Sequence, residues 1–364
     1  MNSPTVIFTG GHHTSALEVA KHLKDRGWQI IWFGHKYSMW GDTSPSAEYR
    51  EVTAAGIKFI QLTAGKLHRT YNPLKLIRIP FGFLQSFWYL LRIRITSGKN
   101  LKGIVTFGGY LGVPVVFTGW LLGLPVIAHE QTTTAGWANK FISFFARKIA
   151  IAWSSAAQIY PLKKTVFVGL PLRQEILSVL NNPVAQKKLL FVTGGKQGSH
   201  IINIQVFAVL EKLLEKFTVV HQTGSSTVFR DYDQAVKLKS ELPEKLQKKY
   251  LVHEYLSSAE TARTLSAAEV VISRSGAHIM YELGLLGSRC VLIPIPWSSH
   301  NEQFKNAGVL ENNSQAVILT QDDLTPESLL AAVEKAQKLQ PSPLHLPKDA
   351  TDKTVQLIES EFLK

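Results

Sequence analysis

The chain has 364 residues, which is too long for one ordinary hydrophobic core and predicts two domains of roughly 150 to 180 residues. A hydrophobic fraction of 45% with mean hydropathy of +0.03 is typical of a globular, soluble chain, and the single Cys290 excludes an intrachain disulfide and favours a reducing compartment. The formal net charge is +13. Residues 1–165 hold 19 Lys and Arg against 6 Asp and Glu, whereas the rest of the chain holds 21 basic and 21 acidic residues. An anionic partner is therefore predicted for the N-terminal half.

The chain opens with a predicted β-α-β unit. A strand at 4–9 leads through Gly10-Gly11-His12-His13 into a helix with apolar positions at Leu17, Ala20 and Leu23, and a second strand covers 27–33. No cleaved signal pattern precedes the first strand. Active groups of open α/β sheets gather at strand carboxyl ends, and an imidazole with a pKa of about 6.5 can act as a base there, so His12 is a candidate. The Gly-Gly turn alone is weak evidence for a phosphate site.

Residues 74–95 are the most apolar segment of the N-terminal half. They do not predict a membrane span, because the uncharged run 79–91 has 13 residues where about 20 are needed. No acidic residue occurs between Glu51 and Glu130. The segment therefore predicts a helix that rests its apolar face on an anionic membrane surface, and the alternative is a core helix with a solvated basic end. The residues of this membrane patch are Phe81, Phe83, Phe87, Trp88, Arg78, Arg92 and Arg94.

Two further strands of this half end in glycine-rich or polar turns. The strand at 104–107 runs into Gly108-Gly109-Tyr110, and the strand at 125–129 ends in the cluster His129-Glu130-Gln131-Thr132. Because three strands of one domain end in this way, a site is predicted at their carboxyl edge. The proline-containing residues 161–187 then predict an interdomain linker that carries a cation at Arg173.

The second domain repeats the strand, turn and helix plan. A strand at 189–193 precedes Gly194-Gly195-Lys196-Gln197-Gly198 and a helix that contains Asn203, and glycines at this spacing permit close approach of the backbone to a diphosphate. A strand at 270–272 precedes the Ser275-Gly276 turn and a helix with Glu282 two turns from its start, within reach of sugar hydroxyls.

The remaining elements of this domain complete the prediction. A strand at 290–294 leads to a polar loop with His300, Asn301, Glu302 and Gln303, and helices cover 326–338 and 351–362. An exposed charged helix is predicted at 237–249. The predicted organisation is an N-terminal domain at 1–160, the linker at 161–187, a C-terminal domain at 188–345 and a terminal helix at 346–364 that packs back on the first domain.

Taken together, these motifs resemble the MurG family of glycosyltransferases (family 28) over about residues 4–320. The resemblance implies an α/β protein of the GT-B class, with two Rossmann-like domains whose parallel sheets flank a cleft. It also implies an inverting transfer of N-acetylglucosamine from UDP-N-acetylglucosamine to the 4-hydroxyl of the muramyl sugar of lipid I, which gives lipid II. The motifs are Thr9-Gly10-Gly11-His12, Phe107 to Tyr110, His129-Glu130-Gln131, Gly194 to Gly198 with Asn203, Arg274 to Ala277 with Glu282, and Gln303 with Asn306-Ala307.

The resemblance also implies roles for individual residues. His12 would be the general base, and Glu130 a second catalytic residue. The acceptor diphosphate would lie against Thr9, Gly10, Gly11, Gly108, Gly109, Tyr110 and Thr132. The donor would lie against the Leu256 backbone near uracil, Glu282 at the ribose, Gln303 at the sugar, and a set at the diphosphate and departing UDP made up of Arg173, Gly195, Gln197, Asn203, Arg274, Ser275, Gly276 and Ala277.

Some positions depart from the family pattern. Ile7-Phe8 stand where the first loop of the family usually has two more glycines. Thr132 and Leu170 each stand where the family has asparagine, and Lys196 stands where it has serine. Several of these lie on the acceptor side, so a different polyprenyl-diphosphate acceptor is one alternative. A UDP-sugar 2-epimerase on the same plan and a catalytically inactive sugar-binding relative are others.

The expected partners are a UDP-sugar, a polyprenyl-diphosphate-linked acceptor, the cytoplasmic face of an anionic bacterial membrane and other cell-wall enzymes. Nucleic acid is not expected, because no helix-turn-helix or RNA-binding pattern accompanies the basic half. No cofactor and no metal are expected, since neither a zinc-spaced Cys/His set nor a Walker sequence occurs.

Overall fold

The computed structural model describes residues 3–37, 45–63, 65, 78–182, 184, 188–195 and 197–364. Residues 74–77 of the predicted apolar segment, the basic Lys66, Arg69 and Lys75, and Lys196 of the third glycine turn lie outside these ranges. The chain divides into two compact units, Met1–Arg173 with Pro347–Lys364, and Gln174–Leu346.

A parallel sheet forms the centre of the N-terminal unit. Its strands β1 to β7 are Thr5–Thr9, Gln29–Gly34, Lys58–Gln61, Leu101–Thr106, Val126–Glu130, Lys148–Ile151 and Thr165–Phe167. They pair in the order β3-β2-β1-β4-β5-β6-β7, and every pair is parallel. The central strands are buried along their whole length, which explains their nearly continuous apolar sequence.

The helices of this unit lie in the connections between strands. They are α1 His13–Asp25, α2 Ala47–Ala54, α3 Arg78–Ser97, α4 Gly112–Leu121 and α5 Trp137–Phe145. Helix α4 packs against both α3 and α5. Pro80 is tolerated in α3 because it lies in the first turn, where backbone N–H groups have no partner within the helix.

The C-terminal unit has the same plan with six strands. Strands β8 to β13 are Leu189–Thr193, Thr218–Gln222, Tyr250–His253, Val270–Ser273, Cys290–Leu292 and Ala316–Ile318, and they pair in the order β10-β9-β8-β11-β12-β13, all parallel. Helices α6 to α14 are Gln174–Asn181, His200–Ala208, Leu210–Lys216, Asp231–Glu241, Glu244–Gln247, Ser258–Ala267, Ala277–Leu286, Glu302–Asn312 and Pro326–Gln337. Cys290 is fully buried, as predicted for a small apolar residue.

The last helix, α15 (Ala350–Phe362), belongs to the N-terminal unit. Its apolar side chains Val355, Ile358 and Phe362 join the core that lies between β1 and α1. Ion pairs Arg147 to Glu361 (2.8 Å) and Arg26 to Glu359 (2.9 Å) flank this contact.

Two predicted elements differ in the structure. The predicted linker 161–187 contains an edge strand of the first sheet (β7) and a helix of the second unit (α6), and the units divide at Arg173. The predicted polar loop at 300–303 is the start of α13, which includes Glu302 and Gln303. The same strand order reversal occurs in both units, between β1 and β4 and between β8 and β11, and open α/β sheets bind ligands at such switch points.

Candidate functional site

Two predicted glycine turns of the N-terminal unit meet at its switch point. The Gly11 N–H donates to the Gly108 carbonyl (2.9 Å), and Phe107 N–H donates to the Thr9 carbonyl (2.8 Å). Gly10 has φ of 139°, and a Cβ there would lie 2.7 Å from the Phe107 backbone, so only glycine allows this approach. The buried Thr9 hydroxyl has no hydrogen-bond partner among the described residues. The two turns therefore form one backbone surface.

His12 lies on this surface, at the start of α1, and is half-buried. Burial lowers the pKa of His12, the charge of Glu130 acts to raise it, and His13 acts to lower it. The imidazole is therefore neutral near pH 7 and available as a proton acceptor. The neighbouring His13 is held by Glu51, at 3.2 Å between Nε2 and Oε2.

Glu130 lies at the end of β5 and is buried. Its carboxylate accepts four hydrogen bonds: from Thr132 N–H (3.1 Å) and hydroxyl (2.8 Å), from Asn139 Nδ2 (2.7 Å) and from the Tyr160 hydroxyl (2.7 Å). Asn139 Oδ1 in turn accepts from the Gly109 N–H (3.0 Å). These contacts make Glu130 an anchor for the second glycine turn, and its catalytic role stays a prediction.

Other predicted residues of this unit lie around the turns. Tyr110 is half-buried, and burial followed by the charge of Glu48 raises its pKa. Burial lowers the pKa of His129 to about 4, and its Nε2 contacts the Gly169 carbonyl at 3.0 Å. The buried Gln131 amide has no partner among the described residues. Arg173 is half-buried and is the last residue before the chain enters the C-terminal unit.

The third glycine turn follows β8 at the switch point of the C-terminal unit. Gly195 N–H donates to the Thr193 hydroxyl (3.0 Å), and Gly198 N–H donates to the Gly195 carbonyl (3.0 Å). A Cβ at Gly198 would lie 1.9 Å from the Thr223 carbonyl oxygen, so the turn packs backbone to backbone against the end of β9. Gln197 is exposed at the tip.

Asn203 lies behind this turn rather than on its surface. It is fully buried, donates to the Thr223 carbonyl (2.9 Å) and to Asp231 (2.8 Å), and contacts His221 Nε2 through Oδ1 (3.0 Å). His200 closes the network on Asp231 (2.7 Å). These contacts give Asn203 a supporting role behind the turn, and its contact with the donor stays a prediction.

The Arg274-Ser275-Gly276 turn follows β11 on the other side of the same switch point. The Arg274 guanidinium donates to the Ser199 hydroxyl (3.2 Å), to the Ile293 carbonyl (3.0 Å) and to Gln321 Oε1 (3.1 Å), and burial lowers its pKa to about 10. The fully buried Ser275 hydroxyl has no partner among the described residues. Gly276 caps α12 and has open space where a side chain would be.

Four further residues predicted to bind the nucleotide sugar lie in this unit, on α12, on α13 and after β10. Glu282 is buried in the second turn of α12, and Ala277 is the first residue of that helix. Gln303 lies on α13, and its Oε1 accepts from the Ile295 N–H (3.1 Å). Leu256 N–H is bound by Gln222 Oε1 (3.3 Å).

An exposed aromatic surface, defined here as the solvent-facing apolar side chains of α3, α4 and α5, lies outside the turns. Trp88 of α3 is 59% exposed and Phe87 39%. Phe83 is half-buried and packs edge to face on Phe117 of α4 (5.6 Å), and its place in the membrane patch stays a prediction. Arg94 donates to the Leu122 carbonyl, and Arg92 is exposed. Other members are Phe81, Leu84, Ile95, Trp120, Leu121, Trp137, Phe141 and Phe144.

Several side chains that organise the turns were not found from the sequence. Asn139, Tyr160, Gln222 and Asp231 lie between 9 and 34 positions from the residues they hold, so no local motif marks them. Within the described ranges, no helix is both long and apolar enough to cross a membrane. No cluster of three or more His, Cys, Asp or Glu in this part of the chain is arranged to hold a metal ion.

Comparison with known proteins defines the class. The fold is similar to that of the crystal structure of Acinetobacter baumannii MurG, with a TM-score of 0.68 and 23% identity over 98% of this chain and 99% of that one. The two α/β units with parallel sheets are those of the GT-B glycosyltransferases.

The family follows from the sequence matches. The glycosyltransferase family 28 N-terminal domain matches residues 5–151, and the family 28 C-terminal domain matches residues 189–362. A Clostridium kluyveri relative is 30% identical over 97% of this chain and 98% of its own length, and a Bacillus cereus relative is 32% identical over 91% and 90%. Both relatives are named UDP-N-acetylglucosamine N-acetylmuramyl-(pentapeptide) pyrophosphoryl-undecaprenol N-acetylglucosamine transferases. The chain belongs to glycosyltransferase family 28.

Proposed function

We propose that this chain transfers N-acetylglucosamine from UDP-N-acetylglucosamine to the 4-hydroxyl of the muramyl sugar of a polyprenyl-diphosphate-linked muramyl peptide. The names of relatives that match over 90% or more of both chains support this activity. The observation that carries it is the placement of all four predicted turns. In each unit, the two turns flank the reversal of strand order, the position at which open α/β sheets bind nucleotides and phosphates.

The C-terminal unit is assigned the donor. Backbone amides at the starts of α7 and α12 suit a diphosphate, because helix N-termini carry unpaired N–H groups and partial positive charge. The Ser275 hydroxyl, which has no hydrogen-bond partner among the described residues, adds a donor beside these backbone amides. Arg274 donates to neutral acceptors and adds positive potential there. Gln303 presents its amide N–H groups to the transferred sugar.

The N-terminal unit is assigned the acceptor and the base. The acceptor oxygen attacks the anomeric carbon, the bond from that carbon to the β-phosphate oxygen breaks with inversion, and UDP leaves with the electron pair. The proton of the acceptor hydroxyl passes to His12, which the low pKa keeps neutral. Glu130 holds the second glycine turn through Asn139 and stabilises the charge that His12 gains.

A related acceptor is the second candidate. Thr132 stands where the family has asparagine, and here both its N–H and its hydroxyl are bound to Glu130, so this position contributes less polar surface to an acceptor. A different polyprenyl-diphosphate-linked sugar would fit such a change. Family 28 membership supports transfer over epimerisation.

The aromatic surface is assigned to the membrane that carries the acceptor. Exposed Trp, Phe and Leu side chains on three adjacent helices, beside Arg92 and Lys140, have the composition of a surface that enters the lipid interface. The chain would act as a peripheral protein on the cytoplasmic face.

Transfer of label to lipid tests the activity. Purified chain is given radiolabelled UDP-N-acetylglucosamine and lipid I, and the organic phase is counted for disaccharide lipid. The same assay with a polyprenyl diphosphate that carries a different first sugar tests the second candidate. Release of UDP without labelled lipid in either arm would contradict both.

A further inference from the structure

Gln222 occupies a position between the two parts of the assigned donor surface. It is the last residue of β9, and its register partners are Thr193 of β8 and His253 of β10. Strand β8 leads into the third glycine turn, and β10 leads to Leu256. One side chain at this point can therefore contact both segments.

The Gln222 amide bonds to both segments. Its Nε2 donates to the Gly195 carbonyl (2.8 Å), and its Oε1 accepts from the Leu256 N–H (3.3 Å). A carbonyl can only accept and an N–H can only donate, so these partners fix the orientation of the amide without ambiguity. The side chain is buried, so water does not replace either contact at low cost.

The backbone after Gln222 reinforces the same arrangement. Thr223 N–H donates to the His253 carbonyl (3.0 Å), and Gly224 N–H donates to the Glu254 carbonyl (3.1 Å), which ties the end of β9 to the segment before Leu256. On the other side Gly198 packs directly on Thr223. The end of β9 thus connects the two parts of the surface, and Gln222 provides the side-chain hydrogen bonds of this connection.

We propose that Gln222 is a positioning residue that couples the base-binding and diphosphate-binding parts of the donor site. The inference rests on the proposed function, which assigns the diphosphate to this unit, and on the family resemblance of the sequence, which implies that uracil lies near the Leu256 backbone. The amide sets the Gly195 peptide and the Leu256 N–H in one geometry, so the two ends of a uridine diphosphate meet surfaces already at the correct separation.

The variant Gln222→Glu separates the two contacts. The carboxylate still accepts from the Leu256 N–H but faces the Gly195 carbonyl with a second acceptor. We expect the affinity for uridine, measured by competition, to stay within about twofold, and the affinity for UDP to fall about tenfold. KM for UDP-N-acetylglucosamine should rise by a similar factor with kcat changed by less than about threefold. Equal losses for uridine and UDP, or no loss, would overturn the proposal.

Protonation provides a second readout. A protonated carboxyl regains a donor for the Gly195 carbonyl, so the UDP defect of Gln222→Glu should be smaller at about pH 7 than at about pH 9, because burial raises a carboxyl pKa. A defect caused only by a loosened core would not depend on pH in this way. Gln222→Met removes both hydrogen bonds and should lower the affinities for uridine and for UDP alike. If Gln222→Glu does not fold, this variant serves as the test, and wild-type affinities in Gln222→Met would overturn the proposal.

Gln315→Glu is the matched control. Gln315 is also a buried glutamine of this unit whose Nε2 donates to backbone carbonyls, those of Leu283 and Gly284 (3.4 and 3.3 Å), but it precedes β13 and so lies at the opposite edge of the sheet. Its variant should lower the melting temperature without the difference between uridine and UDP. A wild-type chain that fails to bind UDP would refute the proposed function, whereas equal UDP binding by wild type and Gln222→Glu would refute this inference alone.

Discussion

At the scale of single residues, His12 and Glu130 show how similar positions serve different tasks. His12 follows β1 and Glu130 is the last residue of β5, so both lie at the carboxyl edge of the N-terminal sheet. His12 is half-buried with a lowered pKa, whereas Glu130 is enclosed by four donors. A sequence motif that contains a carboxylate cannot distinguish these environments, because the donors come from Thr132, Asn139 and Tyr160.

His12→Ala should lower turnover by about 100-fold or more, the usual scale for a general base, and leave UDP affinity nearly unchanged. The base acts in its neutral form, so kcat/KM of the wild type should fall as pH drops through the pKa of His12. Burial lowers that pKa, which puts the midpoint of this acid limb below about 6.5. A pH profile measures both effects. An acid limb that is unchanged in His12→Ala would assign the base to another group.

Glu130→Gln should lower the free energy of unfolding by about 1 to 3 kcal/mol. The amide nitrogen of glutamine would replace a carboxylate oxygen that accepts hydrogen bonds, so it would face N–H or O–H donors and leave them without an acceptor. The substitution also removes the charge that raises the His12 pKa, so the acid limb should move to lower pH. Thermal unfolding and the kcat/KM profile measure the two effects. Tyr160→Phe is the control: it removes one donor but keeps the charge, and should lower the melting temperature without moving the limb. A limb that stays fixed in Glu130→Gln contradicts the electrostatic link.

At the scale of elements, the first half of α3 presents small residues inward and large ones outward. The buried face of the helix consists of Gly82, Ser86, Leu90 and Ile93, at helical spacing. In the first half of the helix this inverts the usual distribution, in which the large apolar residues face the core, whereas Leu90 and Ile93 further along the helix follow it. The bulky Phe81, Leu84 and Trp88 are exposed in this half of the helix, and α4 and α5 extend the same surface.

The double variant Leu84→Ser with Trp88→Ser should release the chain from anionic vesicles and leave the melting temperature within a few degrees. These side chains are 70% and 59% exposed, so they contribute little to the core. Co-sedimentation with vesicles and thermal unfolding measure the two properties. Trp297→Ser is the matched control, because Trp297 is 73% exposed in the C-terminal unit. A large drop in melting temperature, or unchanged sedimentation, would remove these residues from a membrane contact.

Much of the element order was predictable, and the errors have physical causes. Strands β1, β4, β8 and β11 were found because a buried apolar run followed by a glycine or serine turn is local information. Glu302 and Gln303, the first two residues of α13, were predicted as part of a loop because the sequence from 300 to 303 is polar. In the structure His300 and Asn301, which precede the helix, adopt left-handed backbone angles. Strand β7 and α6 were hidden by the prolines around them, although Ile176 and Val179 of α6 are buried at helical spacing.

The sequence predicted the turns of the candidate site but not the side chains that hold these turns in place. Glycines and the residues beside them lie together in sequence, so Gly10 to His12 and Arg274 to Ala277 could be identified directly. The side chains that hold these turns come from other strands and helices, as Asn139 and Gln222 do. Such contacts depend on the strand order, which local periodicity does not reveal.

At the scale of the whole chain, the unit with the basic excess is also the unit to which the lipid-linked acceptor is assigned. Residues 1–165 carry the basic excess, and the rest is balanced. A basic unit is attracted to an anionic membrane surface and to a lipid-linked diphosphate. A soluble nucleotide sugar that binds to a few backbone amides does not require a unit with a net positive charge. Increasing salt should therefore weaken vesicle binding more than UDP binding, since surface charges are screened over about 10 Å at 0.1 M.

UDP should consequently protect one unit and not the other. At a free concentration about 100 times its Kd, a ligand adds about 2.7 kcal/mol to the stability of the unit that binds it. Hydrogen exchange of the intact chain should slow in peptides around 194–198, 256 and 275–277 of the C-terminal unit, and remain unchanged around 10–12 and 108–110. A water-soluble analogue of the acceptor diphosphate should give the reverse pattern. Protection of the N-terminal turns by UDP would contradict the assignment of the two units, because backbone amides that bind the donor are the ones that exchange more slowly.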